Sequence, residues 1–213
     1  MLYNNDNIYI TGLTGMSGAG KTTACSIFSE SGFAVIDCDH VARDVVGRGR
    51  PALAELTEHF TTGILNTDGT LDRRKLGDIV FSDSTALKTL NDMIYPFITY
   101  EIICTVRKLA DSGNRLVLLD APTLFESGAD ILCDTIVSVT AAHDFSVRRI
   151  MARDGISREQ AENRLRSQHD AHFYESRSAY CAENSGTLPE FEDKLRVIAD
   201  KIRHDALSIG GGA

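Results

Sequence analysis

Residues Gly15-Met16-Ser17-Gly18-Ala19-Gly20-Lys21-Thr22 satisfy the pattern G-x-x-x-x-G-K-[ST] at every fixed position, and no other stretch restricts the fold as much. The pattern is a turn that leaves a strand and opens a helix, with phosphate held in the turn. Glycines at 15, 18 and 20 permit positive φ and a close backbone approach, so that successive N–H groups converge on phosphate oxygens. Ala19 and Thr23 fall within the same cradle. Lys21 is placed to reach the β/γ-phosphates, and the Thr22 hydroxyl to ligate magnesium. Ile8-Tyr9-Ile10 leads in as a strand, and residues 22–31 lead out as a helix whose amino end favours an anion. No G-x-G-x-x-G fits, so a dinucleotide fingerprint is not indicated.

The rest of the chain is consistent with an α/β fold. Gly32 stops the first helix, and Phe33-Ala34-Val35-Ile36 forms a second strand closing on Asp37-Cys38-Asp39, which completes a βαβ unit. Ligands in parallel sheets sit beyond the carboxyl ends of strands, which puts Asp37 and Asp39 at the edge that carries the loop. Asp39 also suits the N-cap of a helix over 40–46. From 47 to 112 the strand signal is lost. Residues 52–60 and 72–80 read as helices separated by the turn Asn66-Thr67-Asp68-Gly69, and Leu87, Leu90 and Ile94 carry a helical pattern up to Tyr95-Pro96. A further long helix with Ile98, Ile102, Val106 and Leu109 on one side ends near Gly113. A helical block of this size is too long for an ordinary crossover and reads as a substrate-side insertion.

Leu116-Val117-Leu118-Leu119-Asp120 returns to the sheet and ends on a carboxylate, as in a Walker B strand whose acid approaches magnesium. Pro122 fixes the turn that follows, and Glu126 is either a substrate contact or a solvated acid. After a strand at 135–139 comes an arginine-rich segment. Between His143 and Gln168 stand six arginines (148, 149, 153, 158, 164, 166) against four acids (144, 154, 159, 162), a balance of +2. Arginine without lysine favours bidentate phosphate recognition. Gly155 breaks one helix and the capping box Ser157-x-x-Gln160 opens another, which gives a lid of paired helices with Arg149 and Arg153 one turn apart. Intrahelical pairs such as Glu162 with Arg166 are the plain alternative use for these charges. Tyr180-Cys181-Ala182-Glu183 forms a last strand, Asn184-Ser185-Gly186 turns out of it, and Thr187-x-x-Glu190 caps a terminal helix packed through Phe191, Leu195, Ile198 and Ile202.

The expected architecture is a P-loop NTPase-type three-layer sandwich with a parallel sheet, a helical acceptor-binding insertion and a helical lid. Its nucleotide-binding core comprises residues 1–46, 113–142 and 178–213, the acceptor domain 47–112 and the lid 143–177. The formal charge of −8 disfavours a nucleic-acid partner, since a polyanion is repelled except at local basic clusters. Five cysteines, widely spaced and without a C-x-x-C pair, read as core thiols of a reducing compartment. No run of 18 apolar residues exists and the first seven residues are mostly polar, so the expectation is a cytoplasmic protein with no membrane partner. The glycine run at 210–212 is expected to fray. His169-x-x-His172 lacks a third ligand and reads as a surface pair.

An ordered set of motifs resembles the dephospho-coenzyme A kinases. Gly12-Leu13-Thr14-Gly15 running into Gly18-Ala19-Gly20-Lys21-Thr22 is similar to that family's G-L-T-G-x-x-G-S-G-K-[ST], and Asp37-Cys38-Asp39 with Ala42-Arg43 to its D-A-D-x-x-A-R. Asp68-Gly69-Thr70-Leu71-Asp72-Arg73, Leu76 and Val80-Phe81 resemble D-G-x-L-D-R-x-x-L-x-x-x-V-F, and residues 120–126 resemble D-x-P-L-L-F-E. Arg149, Arg153, Ser157, Arg164 and Gln168 fall on the lid pattern, and residues 184–186 on N-x-G. Departures are Tyr95 for His, Thr61 for Gly, Tyr180 for Asp, Ser146 for Gln and Ala19 for Ser.

The resemblance implies transfer of the ATP γ-phosphoryl group to the ribose 3′-hydroxyl of dephospho-coenzyme A, with Mg²⁺. It implies Asp39, Lys21, Arg149 and Arg153 as catalytic groups, and Thr22 and Asp120 as magnesium ligands. Gly15, Gly18, Ala19, Gly20, Lys21, Thr22, Thr23, Asn184 and Gly186 are implied around the nucleotide. Asp37, Arg43, Arg73, Pro122, Leu124, Glu126 and Gln168 are implied around the acceptor, and a monomer or weak homo-oligomer is expected. A different small-molecule P-loop kinase with a nucleoside-type acceptor, a nucleotide-dependent regulator, and a family member that binds without turnover are the rival readings.

Overall fold

The computed structural model describes residues 8–209; the first seven residues and the glycine run at the other end lie outside the described residues. The described residues divide into two compact units, one that runs up to residue 36 and resumes at 109, and one of residues 37–108.

The first unit is built on five strands, β1 (Tyr9–Gly15), β2 (Ala34–Asp37), β3 (Leu116–Asp120), β4 (Thr135–Thr140) and β5 (Tyr180–Glu183), in the order β2-β3-β1-β4-β5. β1 is central and pairs in parallel with β3 (Leu13 opposite Asp120) and with β4 (Gly15 opposite Val139). Both faces of such a strand are covered, which is why β1 and β3 run almost entirely buried. One face packs against α1 (Lys21–Glu30) and α9 (Leu188–Ile209) through Phe28, Phe191, Leu195 and Ile202, all nearly inaccessible, around Leu13, Leu118 and Val139. Burying each such side chain contributes roughly 1.5–3 kcal/mol before entropy is counted. The expected cap of α9 is present, with Thr187 N–H donating to Glu190 Oε2 at 2.9 Å. Beyond β4 and β5 packs α8 (Ala171–Arg177), and Leu124 and Cys133 crowd Gly12, where a Cβ would meet them at 2.7 and 2.8 Å.

Helices α6 (His143–Asp154) and α7 (Arg158–Arg166) follow β4. Gly155 ends α6 in the left-handed conformation with φ of 66°, and the Ser157–Gln160 capping box opens α7, as the sequence predicts. Val147, Ile150, Ala161 and Leu165 join the two helices, and Met16 of the phosphate loop packs against this small core.

The second unit is helical: α2 (Cys38–Asp44), α3 (Pro51–Phe60), α4 (Arg73–Val80) and most of α5 (Ser84–Asp111) surround a core of Val45, Val46, Leu56, Ile64, Leu76 and Val80. Two local expectations are corrected here. The cap of α2 is Asp37, which accepts from His40 N–H at 2.8 Å, while Asp39 occupies the first turn. The expected break at Tyr95-Pro96 is absent, because α5 is one helix of 28 residues with Pro96 inside it. Proline there removes one backbone hydrogen bond at a cost of about 3 kcal/mol. Leu87, Leu90 and Ile94 before it and Phe97 and Ile98 after it pack on the same core, and that shared burial outweighs the loss.

None of the five cysteines is in a disulfide; Cys38 is buried, Cys25, Cys104 and Cys133 are half-buried and Cys181 is exposed, so the expectation of core thiols fails at Cys181. Among the described residues no helix is long and apolar enough to cross a membrane.

Candidate active site

The phosphate loop leaves the carboxyl end of the central strand and enters α1 at Lys21. Gly15, Gly18 and Gly20 all hold positive φ, at 149°, 73° and 108°. At Gly15 the reason goes beyond φ, because a Cβ would stand 2.2 Å from the Val139 carbonyl oxygen. Met16 N–H donates to that same oxygen at 3.1 Å and Ala19 N–H to Met16 O at 3.1 Å, which folds the loop on itself. Ala19 is fully buried, so its methyl group, standing where the family has Ser, is part of the core.

Lys21 Nζ lies 2.5 Å from Asp120 Oδ1 at the end of β3. The two residues expected to serve donor phosphates and metal are therefore partners of one another, side by side beneath the loop. Thr22 and Thr23 follow in the first turn of α1. Thr14 Oγ1 donates to Pro122 O at 3.1 Å, which ties the turn after β3 to the strand that feeds the loop. A hydroxyl and a carboxylate are hard oxygen donors of the kind magnesium takes. Among the described residues no group of three or more His, Cys, Asp or Glu could hold a metal ion by itself.

The arginines of α6 and α7 divide into two kinds. Arg149 reaches the loop: Nη1 donates to Gly18 O at 3.4 Å and to Asn184 O at 3.0 Å, and Nη2 to Asn184 Oδ1 at 3.0 Å. Burial and the neighbouring Arg148 charge lower its pKa. Arg153, expected to act beside Arg149, instead forks onto Asp154 at 2.7 and 2.9 Å, with Arg164 on the same carboxylate. Hydrogen bonding from Arg153 pulls the Asp154 pKa down to about 2. Arg158 and Arg166 pair with Glu162, the intrahelical use foreseen for such charges.

Asn184 is buried and donates Nδ2 to Ala19 O at 2.7 Å. Gly186 opens the cap of α9, where a Cβ would meet Glu190 Oε2 at 2.7 Å. Gln168 contacts the loop rather than a free surface: its Oε1 accepts from Ser17 N–H at 3.0 Å and its Nε2 donates to Ser17 Oγ at 2.9 Å. Leu124, expected against the acceptor, has its side chain wholly in the core. Glu126 lies 3.7 Å from His169 Nε2 on the wall of a cavity of about 320 Å³ shared with Phe125, Phe173 and Arg177. Beside it Tyr174 has its pKa pushed up to about 12 by burial and by the Glu126 charge. Ser146 is buried against Gly18 with its hydroxyl unpaired.

In the helical unit three expected acceptor residues form one polar chain. Arg43 Nη2 lies 3.9 Å from Asp37 Oδ2, and Arg73 Nη2 donates to Arg43 O at 3.2 Å. Asp39 is exposed at the first turn of α2. Sequence reasoning missed the Lys21–Asp120 pair and the anchoring of the loop by Asn184 and Gln168, because each joins residues about a hundred or more positions apart.

A parallel five-stranded sheet with a phosphate loop after its central strand, and arginine-bearing helices folded onto that loop, defines a P-loop kinase. The family model for dephospho-CoA kinase matches residues 9–190, and the chain belongs to that family. A dephospho-CoA kinase of Lactobacillus johnsonii is 34% identical over 194 residues, 91% of this chain and 98% of that one. A crystal structure of a protein from Thermus thermophilus superposes with a TM-score of 0.76 at 31% identity, covering 93% of this chain and 98% of that one. The dephospho-CoA kinase from Campylobacter jejuni does so with a TM-score of 0.60 at 25% identity, covering 91% and 96%.

Proposed function

We propose that the chain transfers the γ-phosphoryl group of ATP to the ribose 3′-hydroxyl of dephospho-coenzyme A, yielding coenzyme A and ADP. The phosphate loop within a chain of this family, matched from residue 9 to 190, is the observation that carries the reading. Phosphoryl transfer through a loose transition state asks for position and neutralised charge more than for covalent chemistry. The loop amides and Lys21 hold the β- and γ-phosphates, and Lys21 leaves Asp120 to do so. Thr22 and Asp120 hold Mg²⁺, which neutralises phosphate charge when bound. The acceptor oxygen bonds to the γ-phosphorus, the bond from that phosphorus to the bridging oxygen breaks, and ADP leaves with the electron pair.

Asp39 orients the acceptor hydroxyl and takes its proton. Asp37, Arg43 and Arg73 bind the acceptor from the helical unit, and Pro122 and Glu126 from the turn after β3. Arg149 stands beside the loop and Arg153 joins it on leaving Asp154, so that the lid excludes water that would hydrolyse ATP. Incubation with Mg-ATP and dephospho-coenzyme A is expected to give a product heavier by one phosphoryl group in mass spectrometry. Nucleoside acceptors becoming phosphorylated while dephospho-coenzyme A does not would overturn the reading in favour of another small-molecule kinase.

A further inference from the structure

The phosphate loop is gripped from its outer side by residues that come much later in the chain. Asn184 makes four connections: its N–H donates to Thr140 O at 2.8 Å, Nδ2 to Ala19 O at 2.7 Å, while Oδ1 and its carbonyl each accept from Arg149 at 3.0 Å. The side chain is therefore locked at both of its polar atoms and buried. A peptide unit is planar and trans, so its C=O and the following N–H point in opposite directions. Holding the Ala19 carbonyl outward aims the Gly20 N–H to the other side, the concave side of the loop. Gly20 itself accommodates this contact, since a Cβ there would stand 2.5 Å from Asn184 Nδ2 and φ is 108°. The loop's other flank is held by the two-point contact of Gln168 with Ser17.

We propose that Asn184 is a positioning residue that acts through the loop: it sets the Ala19–Gly20 peptide plane so that the Gly20 N–H meets phosphate, with Gln168 as the second anchor at Ser17. Asn184 on this account reads the protein's own backbone and not the nucleotide base. The inference rests on the loop binding a polyphosphate chain and is independent of the acceptor's identity.

Asn184→Asp keeps the oxygen that faces Arg149 and replaces the Nδ2 donor by an oxygen that repels the Ala19 carbonyl. Affinities for Mg-ATP, Mg-GTP and inorganic tripolyphosphate with Mg²⁺, measured by calorimetry on the full chain, are expected to fall together by about 10- to 100-fold. The preference between ATP and GTP stays as in the parent, and binding of dephospho-coenzyme A alone is retained, which a general loss of structure would not allow. Tripolyphosphate bound as in the parent while ATP is weakened, or a changed ATP-to-GTP ratio, means that Asn184 touches the base and overturns the proposal. So does parental affinity for all three. Should Asn184→Asp fail to fold, Gln168→Leu at the exposed anchor is expected to show the same parallel loss at about 3- to 10-fold, and no loss there counts against the proposal equally. Parental binding of tripolyphosphate without phosphorylation of dephospho-coenzyme A would refute the proposed acceptor and leave this inference standing.

Discussion

Thr61 is the only non-glycine among the described residues with positive φ, at 64° with ψ of 170°. Only glycine adopts that region readily, and a β-branched residue there stores roughly 1–3 kcal/mol. The backbone here thus has a conformation that Thr61 meets under strain, offset in part by its Oγ1 accepting from Gly63 N–H at 3.3 Å. Thr61→Gly is expected to stabilise the protein by about 1 kcal/mol, after allowing for glycine's larger unfolded-state entropy. A lower urea midpoint for the variant would contradict this. For Asp39 the expectation concerns rate: Asp39→Asn lowers kcat by roughly two orders of magnitude while the Kd for ATP changes little. Near-normal turnover removes Asp39 from the base role. At this scale the glycines of the phosphate loop were legible because their job is steric and local. Which of Asp37 and Asp39 caps α2 was not, because both satisfy the same preference and only the path of the backbone separates them.

The helices show how local signals fare against packing. Gly155, Ser157 and Gln160 define the α6–α7 corner, and the structure uses all three as read, because caps and breaks act within a turn or two of the chain. Pro96 is the opposite case, a breaker overridden by apolar partners on both sides that no local rule counts. The α6–α7 corner also carries a pH expectation. Arg153, with Arg164, holds Asp154 ionised from its ordinary value of 3.8 down to about 2. A carboxylate depressed in the folded state contributes stability above its unfolded pKa, and that contribution is lost as pH falls from about 3.8 through about 2. Carboxyl-carbon NMR is expected to give a midpoint near 2 for Asp154; a midpoint near 3.8 would mean that neither arginine holds it. The same grip explains why the arginine excess in 143–168 overstated the charge free to meet phosphate, since most of those guanidiniums face neighbouring acids.

For the whole molecule, the alternation of strands and helices made an α/β sheet legible, as it did the helices between β2 and β3, but the compact helical unit spans 37–108 where the sequence suggested 47–112. The strand order was hidden, because it rests on pairings between residues about a hundred positions apart, such as Tyr9 with Leu116 and Thr11 with Thr135. That order has a consequence for how the chain matures. The central strand is synthesised before either of its neighbours, and both of its hydrogen-bonding edges stay empty until β3 and β4 have been made. Until then an apolar segment with two open edges waits in an incomplete chain, and non-local pairings of this kind form slowly and invite association with other chains. The anchors of the phosphate loop arrive later still, at residues 168 and 184. The signature nearest the start of the sequence is therefore among the last parts of the protein to acquire its working shape, and a nascent chain halted before β5 would carry the motif without the site.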